Sequence, residues 1–143
     1  ISGSYVNFSE HRDGMLYTPE MSRRARITEL WAALKYLGRQ GIDELVFGLH
    51  QRAAQFAQEL ASADFKVLNE VVFNQVLVGF DWPDATTADF IDQLQKSGEC
   101  WVGGTKWANK SVVRISVCSW ATTAEDVSRS VAAFVDARER VTL

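Results

Sequence analysis

The stretch CWVGGTKWANKSVVRISVCSW, residues 100–120, decides how this chain must fold. It reads as two β-strands, Trp101 to Trp107 and Val112 to Cys118, joined by a tight turn at Ala108-Asn109-Lys110. Strand side chains alternate, so Val113, Ile115 and Val117 share one face, while Val112, Arg114, Ser116 and Cys118 share the other. The all-apolar set belongs against a core. Arg114 then stands mid-strand on the opposite face, flanked by small residues on a rigid element. A guanidinium held that way can fork onto a carboxylate or a phosphate, or simply lie on a solvated sheet face.

Working outward, the flanking segments supply helices and further strands. From Ser22 the period becomes helical, with Ile27, Leu30, Trp31, Leu34 and Leu37 on one face and Gly38 at the stop. A second helix is expected after Gly41, with an apolar stripe through Ile42, Leu45, Val46, Leu49, Phe56 and Leu60. Residues 65–71 and 72–82 are β-branched and aromatic-rich, as strands are, and Pro83 closes the second. Thr86 with Asp89 predicts an N-cap for a short helix carrying Phe90, Ile91 and Leu94 and ending at Gly98. Beyond the hairpin, Thr122 with Glu125 predicts a capping box for a last helix whose stripe is Val127, Val131, Phe134 and Val135. The order α-α-β-β-α-β-β-α specifies an α+β fold, an antiparallel sheet of about four strands with helices on one face. Residues 1–20 show no sustained period and read as a loop or extended lead-in.

Composition narrows the function classes. The chain has 143 residues, enough for one domain, with 47% hydrophobic and 23% charged residues and a net charge of −3. No basic excess points to nucleic acid or an anionic membrane surface, and no apolar run approaches the ~20 residues that span a bilayer. Cys100 and Cys118 are the two cysteines, too few for a disulfide framework, and read as free thiols of a reducing cytoplasm. His11 and His50 have no Cys or carboxylate at ligand spacing, so no metal site is expected. Gly103-Gly104 reads as a bulge or a place where another backbone approaches. Arg23, Arg24 and Arg26 crowd a helix start, where cations oppose the helix dipole and need an anionic counterpart. Glu20 and Glu29 could supply it; another domain or an anionic cofactor are the alternatives.

Residues 17–26 (YTPEMSRRAR) followed by 30–38 (LWAALKYLG) resemble the segment after the cofactor lysine in group II pyridoxal-phosphate (PLP)-dependent amino acid decarboxylases. Residues 74–78 (NQVLV), 113–117 (VRISV) and 120–123 (WATT) are similar to the small C-terminal domain of the same fold-type-I enzymes. The resemblance implies that residues 1–20 are a catalytic-loop remnant and linker, and 21–143 the C-terminal small domain. Tyr5, in Gly3-Ser4-Tyr5-Val6, resembles the family's loop tyrosine, implicated in delivering a proton to the substrate carbon after carbon dioxide leaves. Arg114 resembles an arginine that meets a substrate carboxylate in glutamate-type members, although members of other specificity carry one there too. Arg23 aligns with an arginine near the domain junction, which implies a structural ion pair. The family's His-Lys pair does not occur here, and Lys35, Lys66, Lys96, Lys106 and Lys110 stand in other contexts. The expectation is therefore a fragment, lacking the large domain, that is inert alone and binds no PLP by itself. The intact enzyme is expected to be a cytoplasmic homodimer acting on an amino acid, without nucleic acid or membrane partners. A stand-alone small-molecule-binding regulatory domain, or a PLP transaminase or aldehyde-forming relative, is the alternative.

Overall fold

The computed structural model describes residues 14–17, 19 and 24–142, which fall into two units, 1–38 and 39–143. In the first unit, Gly14–Tyr17 forms a 3-10 turn, and helix α1 (Ile27–Ser62) begins. Arg24 forms an exposed ion pair with Glu29, so one member of the basic cluster finds its counter-charge within its own helix start. Ile27, Leu30, Trp31 and Leu34 keep their apolar face exposed. At Gly38 the backbone leaves the helix (φ 63°, ψ −172°), a conformation that costs a glycine little. The expected stop at Gly38 is thus present as a kink between two helical runs, and the second run begins directly after it, so that Gly41 lies within that run instead of before it. Tyr5, Glu20 and Arg23 lie outside the described residues.

The second unit is built on a four-stranded antiparallel sheet in the order β1-β2-β4-β3. Its strands are β1 (Lys66–Val67), β2 (Gln75–Gly79), β3 (Gly103–Trp107) and β4 (Lys110–Ser116). Helix α2 (Asp84–Ser97) connects β2 to β3, and α3 (Ala124–Thr142) follows β4. The predicted α+β order and sheet are thus present. Val76 and Val78 from β2 join Val113 and Ile115 from β4 in a core with Leu60 of α1, Phe90 and Leu94 of α2, and Val127, Val131 and Phe134 of α3. Phe65 packs edge-on to Phe134 with ring centroids 5.7 Å apart, and Phe80 stacks on Trp82 at 4.3 Å. These helices cover one face of the sheet.

Helix and strand ends show where local signals were overruled. The end of α1 closes with Phe65 N–H donating to Leu60 C=O and Asp64 N–H to Ala61 C=O, and Asp64 takes φ 60°. That is a Schellman-type stop with its apolar pair, Leu60 and Phe65, both buried. Arg138 of α3 reaches across to donate to Ala63 C=O at 2.9 Å and lies 4.3 Å over the Phe65 ring. β1 spans 66–67 instead of 65–71 because the Asn69 side chain takes over the ladder. Its Oδ1 accepts the Leu77 N–H at 2.7 Å, and its Nδ2 donates to Gln75 C=O at 3.1 Å. Helix α2 starts at Asp84, directly after Pro83, with no side-chain cap. Thr86 is therefore inside the helix. The capping box of α3 is Thr123 with Asp126, one position beyond the predicted pair: Asp126 accepts the Thr123 N–H at 2.8 Å, and Thr123 Oγ1 accepts the Asp126 N–H at 3.2 Å. Adjacent threonines followed by Glu125 and Asp126 satisfy the motif in both registers, and helix packing selects one.

Candidate functional site

The hairpin β3–β4 positions the arginine singled out above. Ala108 and Asn109 both take positive φ (49° and 64°), giving the two-residue turn whose twist matches the flanking strands. Register then sets Gly103 opposite Arg114 and Gly104 opposite Val113. The pairing through the two glycines is regular, without a bulge, and what approaches them is side chains. A Cβ on Gly104 would sit 3.1 Å from Ile91 Cδ1 of α2, so this glycine lets the helix close down on the sheet. A Cβ on Gly103 would sit 3.9 Å from Arg114 Nη2, so the guanidinium leans over this glycine across the strand.

On its other side Arg114 pairs with Leu77 of β2. Directly opposing residues point to the same face, so Gln75, Leu77, Gly79, Gly103, Thr105, Val112, Arg114 and Ser116 line the face away from the core. Among the described residues no helix covers this face. Arg114 is exposed and has no ion-pair or hydrogen-bond partner among them. Beside it, Gln75 Nε2 donates to Ser116 Oγ at 3.2 Å, bridging β2 and β4. Val112 is on this face yet buried, and it lines a small pocket with Leu68, Gly79, Phe80 and Trp107 and the charged Lys66, Asp81 and Lys110.

A second concavity, about 410 Å³, lies at the end of the same strands, between Trp101, Ser116, Cys118 and Thr122 on its rim and Cys100, Ile115 and Ser130 deeper in. Burial pushes the Cys100 thiol above its ordinary value and Glu99 adds to this, while a hydrogen bond from Ser130 works against it. The thiol is therefore protonated at neutral pH and a poor nucleophile. Cys118 is exposed, and both cysteines are free. His50, the described histidine, pairs Nδ1 with Phe73 C=O at 3.1 Å and holds the 71–74 bend against α1, a packing role. Among the described residues no group of His, Cys, Asp and Glu is arranged to hold a metal ion, and no helix is long and apolar enough to cross a membrane.

The structure thus places Arg114 on an open sheet face with a polar pair beside it. The other two residues singled out in the sequence, Tyr5 and Arg23, lie outside the described residues. Sequence reasoning missed the Gln75–Ser116 pair and the role of Gly103. The signal for Ser116 was present, since it shares the alternation of Arg114. The signal for Gln75 depended on strand pairing across more than forty residues.

No protein-family model and no curated protein matches the sequence. Solved structures do share the fold. Oryza sativa TDC with PLP superposes with a TM-score of 0.78 at 19% identity, covering 90% of this chain and 30% of that one. Catharanthus roseus tryptophan decarboxylase in complex with L-tryptophan gives 0.72 at 18% identity, covering 83% and 26%. Rhodiola rosea 4-hydroxyphenylacetaldehyde synthase gives 0.72 at 18%, covering 83% and 27%. The chain therefore has a fold found in group II PLP-dependent decarboxylases of the fold-type-I superfamily, and spans less than a third of the length of these three. At such identities the likeness is one of fold.

The lysines Lys66, Lys96 and Lys106 have exposed side chains paired with Asp81, Asp92 and Asp84, and Lys35 and Lys110 are exposed as well. Lys66 and Lys110 line the small pocket beside Gly79 together with Asp81, Phe80 and Trp107. What the open face can do with its own groups is bind an anion.

Proposed function

We propose that this chain forms part of a PLP-dependent amino acid decarboxylase, in which the face carrying Arg114 is turned toward the substrate. The observation that carries this reading is Arg114 itself. It is a guanidinium without a partner among the described residues, held mid-strand on the uncovered face of a fold found in such decarboxylases. A planar donor fork on a rigid strand suits a carboxylate. Arg114 would anchor a carboxylate of the amino acid. Tyr5 would deliver the proton to the substrate carbon, and Arg23 would hold an ion pair at a domain junction. The lysine and phosphate-binding groups would come from residues outside this chain, in a homodimeric, cytoplasmic enzyme. The 143 residues alone would be inactive.

Two measurements test this. In the PLP-loaded enzyme containing this chain, Arg114→Gln should raise KM for the amino acid at least about tenfold, the cost of losing a charged pair to a bound carboxylate. An unchanged KM would remove Arg114 from the site. If the 143-residue chain alone developed the absorbance of a PLP–lysine adduct, and lost it on mutation of one of its own lysines, the division of labour would be wrong.

The Rhodiola rosea synthase favours a second reading, since an aldehyde-forming enzyme shares this fold. The presence of Tyr5 argues for the amine-forming route. Tyr5→Phe in the parent enzyme should shift products from amine toward aldehyde, and unchanged amine output would take Tyr5 out of the chemistry.

A further inference from the structure

Arg114 is not the only group on the open face able to hold an anion. We infer that Ser116 is a second carboxylate-binding residue, oriented by Gln75, and that these two with Arg114 form one recognition surface for a carboxylate of the substrate. This inference rests on the reading of Arg114 as a substrate anchor.

The argument is one of donors and directions. Arg114 and Ser116 are two positions apart on β4, so both project to the same face, a little under 7 Å apart along the strand at ~3.4 Å per residue. A carboxylate whose two oxygens are ~2.2 Å apart can meet donors converging from both positions, because the guanidinium is long and flexible at its base while the serine is short. A serine hydroxyl has one proton and two lone pairs. Gln75 Nε2 donates to Ser116 Oγ at 3.2 Å and so occupies a lone pair. The hydroxyl proton has no acceptor among the described residues and is left to donate outward. Were Gln75 an acceptor here, Ser116 would spend its proton on it and present only lone pairs, which repel a carboxylate.

The setting is consistent with this role. The guanidinium leans over Gly103, where a Cβ would be 3.9 Å from Nη2, leaving the side of Arg114 away from Gly103 free to meet a ligand. Leu77, opposite Arg114, is an apolar neighbour on the same face and offers no group that would compete for the guanidinium. The two carboxylates that line the concavity beside Ser116, Glu99 and Asp126, are both paired with Arg129, and Asp126 also closes the α3 cap, so their charges are already compensated.

The test uses the PLP-loaded enzyme of which this chain is proposed to form part, with glutarate as probe. Glutarate has a carboxylate at each end and no amine, so it reports binding without reaction. Its affinity is measured by calorimetry, and KM for the amino acid is measured beside it. Ser116→Ala should weaken glutarate at least about tenfold, the usual worth of a hydrogen bond to a charged group. Ser116→Thr keeps the hydroxyl and should stay within about twofold of the parent. Gln75→Leu removes the orienting donor and should weaken binding about threefold without touching the hydroxyl itself. If Ser116→Ala leaves glutarate affinity unchanged while Arg114→Gln weakens it, the role of Ser116 is wrong and the anchor stands. Equal losses in the Ala and Thr variants would show a steric effect and overturn it as well. If Arg114→Gln is also without effect, or glutarate does not bind the parent enzyme, the reading beneath the inference falls with it.

Discussion

The two faces of the sheet are made from the same four strands and have opposite characters. On the helix-covered face, Val76, Val78, Val113 and Ile115 pack against Phe90, Leu94, Val127 and Phe134 with almost no exposed area. On the other face, Gln75, Arg114 and Ser116 are exposed, and only Val112 and Gly79 are buried. The first face is fixed by apolar volume, where a missing methylene is felt at once. The second is held in place by the first and is free to carry polar groups at little cost to folding. The difference teaches that stability and recognition can be assigned to alternate residues of one strand, and can be broken separately.

The largest expected effect is on the closed face. Phe134→Ala should destabilise the fold by about 3–5 kcal/mol, read from the urea midpoint at constant slope. A loss under ~1 kcal/mol would mean that this face is not the core. A smaller effect sharpens the contrast on the open face. Gly79 is buried there, and a Cβ would come within 2.8 Å of Leu68 Cδ1. Gly79→Ala should cost about 1 kcal/mol, because the clash is with the end of a flexible side chain, and Leu68→Ala should restore it in the double variant. Additive losses would show that the two residues do not touch.

Next in size is the α3 cap. Thr123→Ala should cost about 1 kcal/mol, the usual worth of an N-cap. Its pH dependence has a definite sign. The hydrogen bonds from Thr123 chiefly, with Arg129 beside it, hold the Asp126 carboxyl below the ordinary carboxylate range. The folded value is depressed, so the contribution is fully present above the unfolded value of ~3.9 and is lost as pH falls through the lowered folded one. The stability difference between the parent and Asp126→Asn should therefore be flat from neutral pH down to about pH 5 and shrink below about pH 4. A difference that grew on acidification would contradict the cap. The smallest effect returns to the open face. Arg114→Gln should change the stability read from urea unfolding by less than ~0.5 kcal/mol, because the guanidinium has no partner among the described residues to lose. A large loss there would show that Arg114 works for the fold rather than for a ligand.

Much of the closed face was readable in advance. The alternation of Val113, Ile115 and Val117 and the stripes through Phe90 and Leu94, and Val127, Val131 and Phe134, all lie against the core as their periods required. Small buried residues were not readable: Ala53, Thr87 and Ser130 carry no strong hydropathy, and their burial follows from neighbouring helices. Thr87 is buried with its hydroxyl accepting the Trp82 indole N–H at 2.9 Å, a contact no local pattern signals. Strand and helix ends failed where a side chain replaced the backbone, as at Asn69, or where two cap registers were both allowed, as at Thr122 and Thr123. For the site, the position of Arg114 on the face away from the core was legible from alternation alone. Its surroundings were not.

The sequence by itself determined the order of elements, the core-facing residues and the side of β4 on which Arg114 lies, because these depend on periods of two and 3.6 within short segments. Only the tertiary structure decided which strand lies beside which. That register puts Gly103 under the guanidinium and joins Gln75 to Ser116 across forty-one residues of chain. Hydrogen bonding between strands distant in sequence is set by closing the whole sheet under its helices, and no local pattern encodes it.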